Sequence, residues 1–479
     1  MAMSSKVALH ERRQNGLPST RTSTGPLGKR ILLNRWTWVF VLMTLVYAGC
    51  LLFQYRMVTA PVKIEGGEVE GINFSAVRDA AKLAFPTLLF WIVAYAWLDR
   101  FRPQRPLVWW LALGWGGSVA TAMSIVINTW AALEMQVTGG ADPSQGARSA
   151  IFVAPFVEEA AKASVLFGIA IAYRYRLVSK VSGIVLAGLS AAGFAFTENI
   201  IYYARAIVFT STTISAGDPD QAINTLVMLR GVWLAFGHPL FTTMTGIGVL
   251  VAVRTPSKVV RVLAPLVGYL AASLLHMAFN TAATFFSAGS QGVFLYFLVI
   301  IPLVLAVVIW ILRQLIVESR RHRDRLADFV RMGWLTDADA YVFSRQRSRT
   351  RAALIAATRG WACLVATLRL QHAVTELVYL RDAQVRGTVD AAGDVRAHEL
   401  LAQIRQLKAT AVSDPRGRRL NLPDVRALGA RLRALAGQLP WRRRATVPPQ
   451  AGPYSGGTPA PVGSPAYSPV DPRWGPPTS

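Results

Sequence analysis

Long apolar stretches divide the first two-thirds of this chain into segments long enough to cross a membrane. About 20 apolar residues are needed to span the hydrocarbon core of a bilayer as a helix. Eight stretches meet that length, at residues 36–55, 81–98, 107–133, 150–173, 181–208, 227–253, 259–286 and 292–317. The predicted fold class is an all-α polytopic membrane protein, a bundle of about eight transmembrane helices with a cytoplasmic helical C-terminal region.

The polar remainder of the chain flanks this bundle and predicts four regions. These are a basic cytoplasmic N-terminal tail at 1–35, a transmembrane domain at 36–317, an arginine-rich cytoplasmic helical region at 318–440 and a disordered Pro/Gly-rich tail at 441–479. Within the arginine-rich region, a capped helix start at Thr336 to Asp339 leads into a segment through Leu370. Further helical patterns are predicted at 371–386, 396–412 and 424–438. We expect their basic faces to be solvated or to lie on lipid headgroups.

The distribution of basic residues changes the meaning of the net charge of +25. Arginine and lysine cluster in alternate loops, as at Arg100, Arg102 and Arg105 after the second span, and the intervening loops are acidic or neutral. The positive-inside rule then predicts a multi-pass plasma-membrane protein with both termini in the cytoplasm. We expect anionic lipid headgroups, and no nucleic acid, as partners of this basic face. The two cysteines, Cys50 and Cys363, provide neither a disulfide framework nor a thiolate metal site.

Ionisable residues inside four of the spans are the candidates for a functional site. They are Glu158, Glu159 and Lys162 in the fourth span, Glu198 in the fifth, His238 in the sixth and His276 in the seventh. Charged side chains exposed to lipid are costly, so these groups should face a protein interior or a cavity. Counting from the outer end of each span, the carboxylates and histidines share a level roughly 12–16 Å deep, at 1.5 Å per helical residue. One shared level predicts one shared site.

Local patterns agree with this site. Small residues recur along the fifth span and predict close helix approach, at Gly183, Ala187, Ala191 and Ala195. Pro239 after His238 predicts a kink that frees backbone carbonyls. Asn280 lies four residues after His276 and shares its helix face. Arg205 and Arg230, near the outer ends of their spans, are expected to snorkel to the membrane surface.

Two histidines and several carboxylates are sufficient for a hydrolytic site. A carboxylate can take a proton from water and return it to a leaving amine. The histidines can bind a divalent metal, or they can hold the water and the developing oxyanion directly. The same groups could carry protons or ions through a transporter, although the chain lacks the repeated halves typical of one. A structural ion pair, or a membrane scaffold that uses the basic C-terminal helices, is a further alternative.

Four motifs in chain order also resemble a known family. Glu158-Glu-Ala-Ala-Lys162, Phe194-Ala-Phe-Thr-Glu198-Asn199, Gly237-His238-Pro239 and His276-Met-Ala-Phe-Asn280 lie on successive spans. Together they resemble the PrsW family of intramembrane proteases, which is related to the CAAX prenyl protease/ABI family. The resemblance covers about residues 81–317. It implies a bacterial intramembrane endopeptidase, with 36–317 as its protease-like domain.

The resemblance also implies a role for each matching residue. By this resemblance, Glu158 is the carboxylate that activates water, and Asn280 is a donor on the oxyanion side. The other catalytic residues that it implies are Glu159, His238 and His276. Supporting roles fall on Lys162, Glu198 and Asn199. If a metal is bound, Zn²⁺ or another divalent ion is expected on His238, His276 and Glu198, and a metal-free glutamate mechanism uses the same residues.

The substrate expected from this resemblance is a membrane protein. PrsW-like proteins resemble site-1 proteases that cut a membrane-anchored anti-sigma factor on its outer side, and the outer-half depth of the predicted site agrees. Two departures from the prenyl protease pattern weaken any inference of prenyl-peptide specificity. The chain has Lys162 after its glutamate pair, whereas that pattern has an arginine one position later. It also has Glu198 at a position where that pattern has a histidine.

Overall fold

The computed structural model of the chain describes most of the predicted membrane domain and much of the arginine-rich region. It covers residues 26–64, 67–69, 71–99, 104–135, 147–173, 180–212, 218–255, 257–286, 294, 296–385 and 391–416. Most of the predicted N-terminal tail, the helix predicted at 424–438 and the predicted tail at 441–479 lie outside these residues. The four predicted domain boundaries therefore stay predictions.

Helices dominate the described residues, as the apolar pattern predicts. The helices that precede the arginine-rich region are α1 (Leu27–Leu32), α2 (Arg35–Thr59), α3 (Phe74–Leu98), α4 (Pro106–Gly114), α5 (Thr121–Glu134), α6 (Ala147–Phe152), α7 (Ala154–Tyr173), α8 (Lys180–Thr212), α9 (Pro219–Met228), α10 (Gly237–Arg254) and α11 (Lys258–Phe286). One small exception to the all-α prediction is an antiparallel hairpin of β1 (Val62–Ile64) and β2 (Gly67–Val69), in which Val62 pairs with Val69.

Seven stretches in the described part of the chain are long and apolar enough to cross a membrane. They are Arg35–Thr59, Phe74–Leu98, Pro106–Glu134, Val181–Ser211, Pro219–Arg254, Lys258–Thr284 and Ile301–Arg331. The remaining predicted span, 150–173, corresponds to α7, whose 20 residues match the length of a span but carry Glu158, Glu159 and Lys162 in the interior. The chain is thus a multi-pass α-helical membrane protein.

Helix α8 lies at the centre of the membrane bundle and packs against α3, α4, α7 and α10. The small-residue stripe predicted on this helix accounts for the close packing. A Cβ atom placed on Gly183 would lie 2.9 Å from the carbonyl oxygen of Gly246 in α10. A Cβ atom on Gly116 would overlap the carbonyl oxygen of Ser190 in α8. Glycine at these positions lets neighbouring backbones touch, as predicted for Gly183 from the stripe, whereas Gly116 was not part of that prediction.

The stretch Pro219–Arg254 is broken where the sequence predicts only a kink. Helix α9 ends in a π-helical turn, Leu229–Trp233, and α10 begins at Gly237 after three non-helical residues. Two side chains of α3 compensate for the lost helical bonds. The Thr87 hydroxyl donates to the Gly231 carbonyl at 2.8 Å, and the Trp91 indole donates to the Ala235 carbonyl at 3.2 Å. Pro239 fits here because the first turn of a helix needs no backbone donor.

The described part of the arginine-rich region folds into five helices. These are α12 (Ile301–Arg331), α13 (Asp337–Ser344), α14 (Gln346–Ala357), α15 (Trp361–Val385) and α16 (Ala391–Lys408). Helix α14 packs in a small apolar cluster of its own, and the other four share a larger apolar core. The predicted capping box at the start of α13 is present, because Thr336 and Asp339 bond each other's backbone amides. The single segment predicted through Leu370 is instead α13, α14 and the start of α15. Gly360, with φ of +111°, lies at the second of these breaks.

Several arginines of this region, two of them on helices whose basic faces were predicted to be solvated or to lie on lipid headgroups, are paired with carboxylates instead. Each of these pairs with a carboxylate on another helix: Arg325 with Asp382 at 3.3 Å, Arg381 with Asp328 at 3.3 Å and Arg396 with Glu376 at 2.8 Å. The reason is that leucines of neighbouring helices, such as Leu326, Leu377 and Leu400, are fully buried together and hold the charged edges side by side.

Candidate active site

The predicted site residues meet in one cluster, although they come from four helices. The imidazole rings of His238 and His276 lie 5.1 Å apart between centroids and are almost perpendicular, at 89°. Glu158 Oε2 lies 3.9 Å from His276 Nε2, and Glu198 Oε2 lies 2.9 Å from His238 Nε2. The depth argument from the sequence therefore identified groups that share a site.

Glu158 and Glu159 are adjacent in sequence but have different surroundings. Glu159 is fully buried, and its carboxylate accepts bonds from the Lys162 ammonium at 2.7 Å, the Thr242 hydroxyl at 2.7 Å and His276 Nδ1 at 3.1 Å. Glu158 instead lines a cavity, and its nearest donor is the Asn128 amide at 3.2 Å. The resemblance placed both glutamates among the catalytic residues, whereas this geometry gives Glu159 the position of a residue that holds His276.

Lys162 fixes the hydrogen positions of His238. The Lys162 ammonium lies 2.9 Å from Nδ1 of this histidine. Because an ammonium group can only donate, Nδ1 accepts, and the hydrogen of the neutral ring is on Nε2. That Nε2–H group then donates to Glu198 Oε2 at 2.9 Å. Lys162 thus links the carboxylates of its own helix to the histidine of α10.

Arg230 belongs to this cluster, so the prediction that it snorkels to the membrane surface is wrong. Its Nη2 donates to Glu198 Oε2 at 2.7 Å, and its Nε donates to Asn199 Oδ1 at 2.9 Å. The guanidinium group also lies 3.9 Å above the ring centre of Tyr202. Arg230 is on the π-helical turn Leu229–Trp233, and the Gly237-His238-Pro239 motif was the only sequence signal that the helix deviates nearby.

Asn280 lines the cavity, and its amide group also joins two helices. Its Nδ2 donates to the carbonyl oxygen of Ala150 in α6 at 2.8 Å. One amide hydrogen is therefore used to hold α6 against α11, and the other is available for the oxyanion-side role that the resemblance implies. Asn128 and Thr242, which bond Glu158 and Glu159, were missed because a single Asn or Thr in an apolar helix has no distinctive spacing.

A cavity of about 530 Å³ connects the cluster to one end of the bundle. Glu158, Glu198, Arg230, His238 and His276 line its inner part. Its outer part is lined by residues near the helix ends opposite the starts of α4, α8 and α11: Ala132, Ser149, Ala150, Arg205, Ala283 and Thr284. The cavity therefore leads from the carboxylates to that end of the bundle.

The membrane core of the chain also matches a known family. Residues 104–307 match the family model described as PrsW family intramembrane metalloprotease. This segment belongs to the PrsW family. The chain matches no curated protein and no solved structure. The PrsW match includes every predicted site residue, and it makes the protein an intramembrane peptide-bond hydrolase rather than the transporter or scaffold that composition alone permitted.

The donor atoms in this PrsW domain fit a divalent metal. Glu158, His238 and His276 each offer a ligand atom within 4.8 Å of the others. One carboxylate and two imidazoles form a ligand set that catalytic zinc sites use. Glu159 accepts the hydrogen of His276 Nδ1, which leaves the Nε2 lone pair of that ring directed at the cluster, as metal-binding histidines require.

This ligand set differs from the predicted one by a single carboxylate. Glu198, which the resemblance offered as the third ligand, has Arg230 at 2.7 Å and His238 at 2.9 Å from the same oxygen. A positive charge so close to Glu198 opposes a dication on that oxygen. Both nitrogens of His238 are engaged, and its hydrogen is on Nε2, so a metal on the Nδ1 lone pair would replace the Lys162 contact and leave the Glu198 contact in place.

Proposed function

We propose that Glu158 activates water in an endopeptidase that cuts a membrane-anchored protein near its extracytoplasmic juxtamembrane segment. The observation that carries the proposal is the course of the cavity, which runs from Glu158 to the helix ends opposite those beside Arg105, Lys180 and Lys258. An anti-sigma-factor-like protein with one membrane span is the substrate type that fits, since its outer juxtamembrane segment would lie at the cavity mouth.

The orientation follows from where the basic residues lie. Arg105, Lys180 and Lys258 stand at or beside the starts of α4, α8 and α11, and the cavity opens near the opposite ends of these spans. The arginine-rich helices lie on the same basic side, because Arg254 at the end of α10 pairs with Asp382 of α15 at 3.9 Å. By the positive-inside rule that side is cytoplasmic, so the cavity opens outward and both termini lie inside the cell.

The chemistry assigned to the chain's own groups is a general acid–base hydrolysis. Glu158 accepts a proton from water while the water oxygen bonds to the scissile carbonyl carbon. The carbon–nitrogen bond then breaks, and Glu158 returns the proton to the departing amine. Asn280 supplies an N–H group toward the oxyanion. Lys162 and Glu159 hold the two histidines in place throughout.

A divalent ion, for which Zn²⁺ is the proposed identity, would be held by His238 and His276, and in this proposal Glu158, the third member of the cluster, acts on water and not as a ligand. The ion would supply a Lewis acid that makes water more acidic and polarises the carbonyl. The chain's contribution is the orientation of the rings, because Glu159 accepts from His276 Nδ1 and leaves its Nε2 lone pair toward the cluster, while Lys162 holds His238 through Nδ1 until an ion would take its place.

Metal content and activity, measured on the same samples, test the assignment. Wild type, Glu158→Gln, Glu198→Gln and His276→Ala are purified in detergent, and their zinc content is determined. Each is also reconstituted with single-span membrane proteins that carry epitope tags on the outer side. We expect Glu158→Gln to retain metal and lose cleavage, and His276→Ala to lose both. Metal lost from Glu158→Gln but kept in Glu198→Gln would contradict the base assignment and make Glu158 a ligand.

Labelling from one side of the membrane tests the orientation. In a chain whose two cysteines, Cys50 and Cys363, are replaced by alanine, Thr284→Cys is placed at the outer end of the cavity and Arg359→Cys in the arginine-rich region. A membrane-impermeant maleimide should label Thr284→Cys in intact spheroplasts and should label Arg359→Cys only after permeabilisation. The reverse pattern would overturn the extracytoplasmic site.

A further inference from the structure

A second cavity, of about 750 Å³, lies in the arginine-rich region and is unusually basic. Its walls are α14, α15 and α16, and Arg105 from the membrane domain completes one side. Four arginines line it, Arg105, Arg349, Arg369 and Arg396, together with a histidine, His372. Among the described residues of this lining, Glu376 is the one acidic side chain, so their formal charge is +3 with the histidine neutral.

The carboxylate of this pocket is already engaged. Arg396 contacts Glu376 Oε1 with Nε at 2.9 Å and with Nη2 at 2.8 Å. In the described part of the chain, the guanidinium groups of Arg105 and Arg369 have neither a hydrogen bond nor an ion pair. The pocket thus holds more positive charge than its own acidic group balances, and two of its arginines have donors to spare.

Arg349 adds charge that water screens poorly. Its side chain is 4% exposed, and burial lowers the pKa of the Arg349 guanidinium to about 10. A lowered pKa means that the surroundings penalise the charged form, because a buried charge loses its hydration. An anion that enters the pocket would offset that penalty, so the site is better suited to a negatively charged ligand than to an uncharged one.

The position of Arg105 relates the pocket to the membrane surface. Arg105 directly precedes Pro106, the first residue of a stretch long and apolar enough to cross the membrane. The residue before a transmembrane helix lies at the level of the lipid headgroups. One wall of the pocket is therefore at headgroup depth on the basic side of the protein.

We propose that this pocket binds a phosphate-bearing anion. Arginine suits such a ligand because its planar guanidinium group makes two parallel hydrogen bonds to phosphate oxygens. Two sources offer the same chemistry, the headgroup of an anionic phospholipid and a soluble phosphate compound of the cytoplasm. The site is separate from the peptide-cutting cavity, since the described residues that line the two cavities have none in common.

Paired charge removals test the proposal on the full-length protein. Arg105→Gln with Arg369→Gln removes two pocket arginines, and Arg347→Gln with Arg359→Gln removes the same charge from exposed positions of the same region outside the pocket lining. Pyrophosphate binding is measured by calorimetry in neutral detergent, and retained phosphatidylglycerol by native mass spectrometry. Circular dichroism is used to check that both double variants are folded. We expect them to be, because Arg105 and Arg369 have no polar side-chain partner to lose among the described residues.

We expect Arg105→Gln with Arg369→Gln to lower the affinity of the protein for the probe by at least about tenfold, since one charge-assisted hydrogen bond is worth about a factor of ten. Arg347→Gln with Arg359→Gln should lower it by less than about twofold. Loss of pyrophosphate binding identifies a soluble ligand, and loss of lipid retention alone identifies a headgroup. Equal losses in both doubles, or no binding of either probe to wild type, would overturn the proposal in favour of diffuse surface charge.

Discussion

Lys162 Nζ lies 2.9 Å from His238 Nδ1, so a lysine of the fourth predicted span sets the protonation of a histidine in the sixth. The same ammonium group contacts Glu159 at 2.7 Å and Glu158 at 3.5 Å. A lysine has three N–H donors, and these three contacts use all of them. The motif Glu-Glu-x-x-Lys is therefore a hydrogen-bonding unit that assembles the site across helices.

Replacing Lys162 by methionine should destabilise the protein strongly. The side chain is fully buried, and its removal leaves the buried Glu159 carboxylate without its closest positive charge. Breaking a buried ion pair from one side costs about 3–5 kcal/mol. We expect the free energy of unfolding in a detergent titration to fall by that order. Lys82→Met is the control, because Lys82 pairs with Asp79 on the surface, with two-thirds of its side chain exposed.

A second variant separates charge from packing at this position. Lys162→Met combined with Glu159→Gln removes both charges, so the double variant should recover part of the stability lost in Lys162→Met. Equal stability of Lys162→Met and wild type would contradict the assignment of a buried ion pair.

Glu158→Gln and Glu159→Gln should have different effects on activity and stability, although the two residues are neighbours in the sequence. Glu158 faces the cavity, so its amide variant loses the group that transfers protons, and hydrolysis should slow by about 10²–10⁴-fold with an unchanged melting temperature. Glu159 holds Lys162, Thr242 and His276, so its variant should lower the melting temperature as well as the rate. Initial rates and thermal unfolding of the same preparations measure both effects. Identical behaviour of the two variants would argue against separate roles.

The sequence was sufficient to predict the site where membrane physics limits the alternatives. Glutamate and histidine inside an apolar span must face protein, so Glu158, Glu198, His238 and His276 could be placed in one cluster without a structure. Close packing of α8 was predictable for a similar reason, since a row of small residues has few other uses in a membrane.

Features that depend on a departure from regular helix could not be predicted in the same way. Arg230 was placed near the outer end of a continuous span, where a long side chain reaches the surface. The π-helical turn and the break before Gly237 instead leave this arginine beside Glu198. The ion pairs of the arginine-rich region could not be predicted either. They connect helices through residues that lie 20 to 57 positions apart in the sequence, and no local pattern relates such residues.

Arg230 is predicted to act as a positioning residue. It holds Glu198 from one side while His238 contacts the same oxygen from the other. Partners of this kind typically change activity or metal affinity by about 10–100-fold when removed. Arg230→Gln should therefore lower kcat within that range, and Arg230→Lys should restore part of it, because the charge returns without the second bond to Asn199. Arg78→Gln, which removes an exposed charge on α3, should have no effect. Equal loss in Arg230→Lys and Arg230→Gln would show that the charge is not what matters.

Gly116→Ala should destabilise the bundle more than the addition of one methyl group suggests. The new Cβ would overlap the carbonyl oxygen of Ser190, which belongs to the backbone of the central helix α8 and cannot rotate away. The π-helical segment that carries Gly116, Trp115–Ala120, must move away from α8, and overpacking of this kind costs about 1–3 kcal/mol. Gly49→Ala is the matched control, since no atom lies within 4 Å of a Cβ at that position and alanine is the better helix former. The melting temperature of Gly116→Ala in detergent should be below that of wild type, and that of Gly49→Ala should be at or above it.

Gly116→Ala should also lower cleavage activity. The Ser190 hydroxyl donates to the Lys162 carbonyl at 2.9 Å, so a displaced α8 would move Lys162.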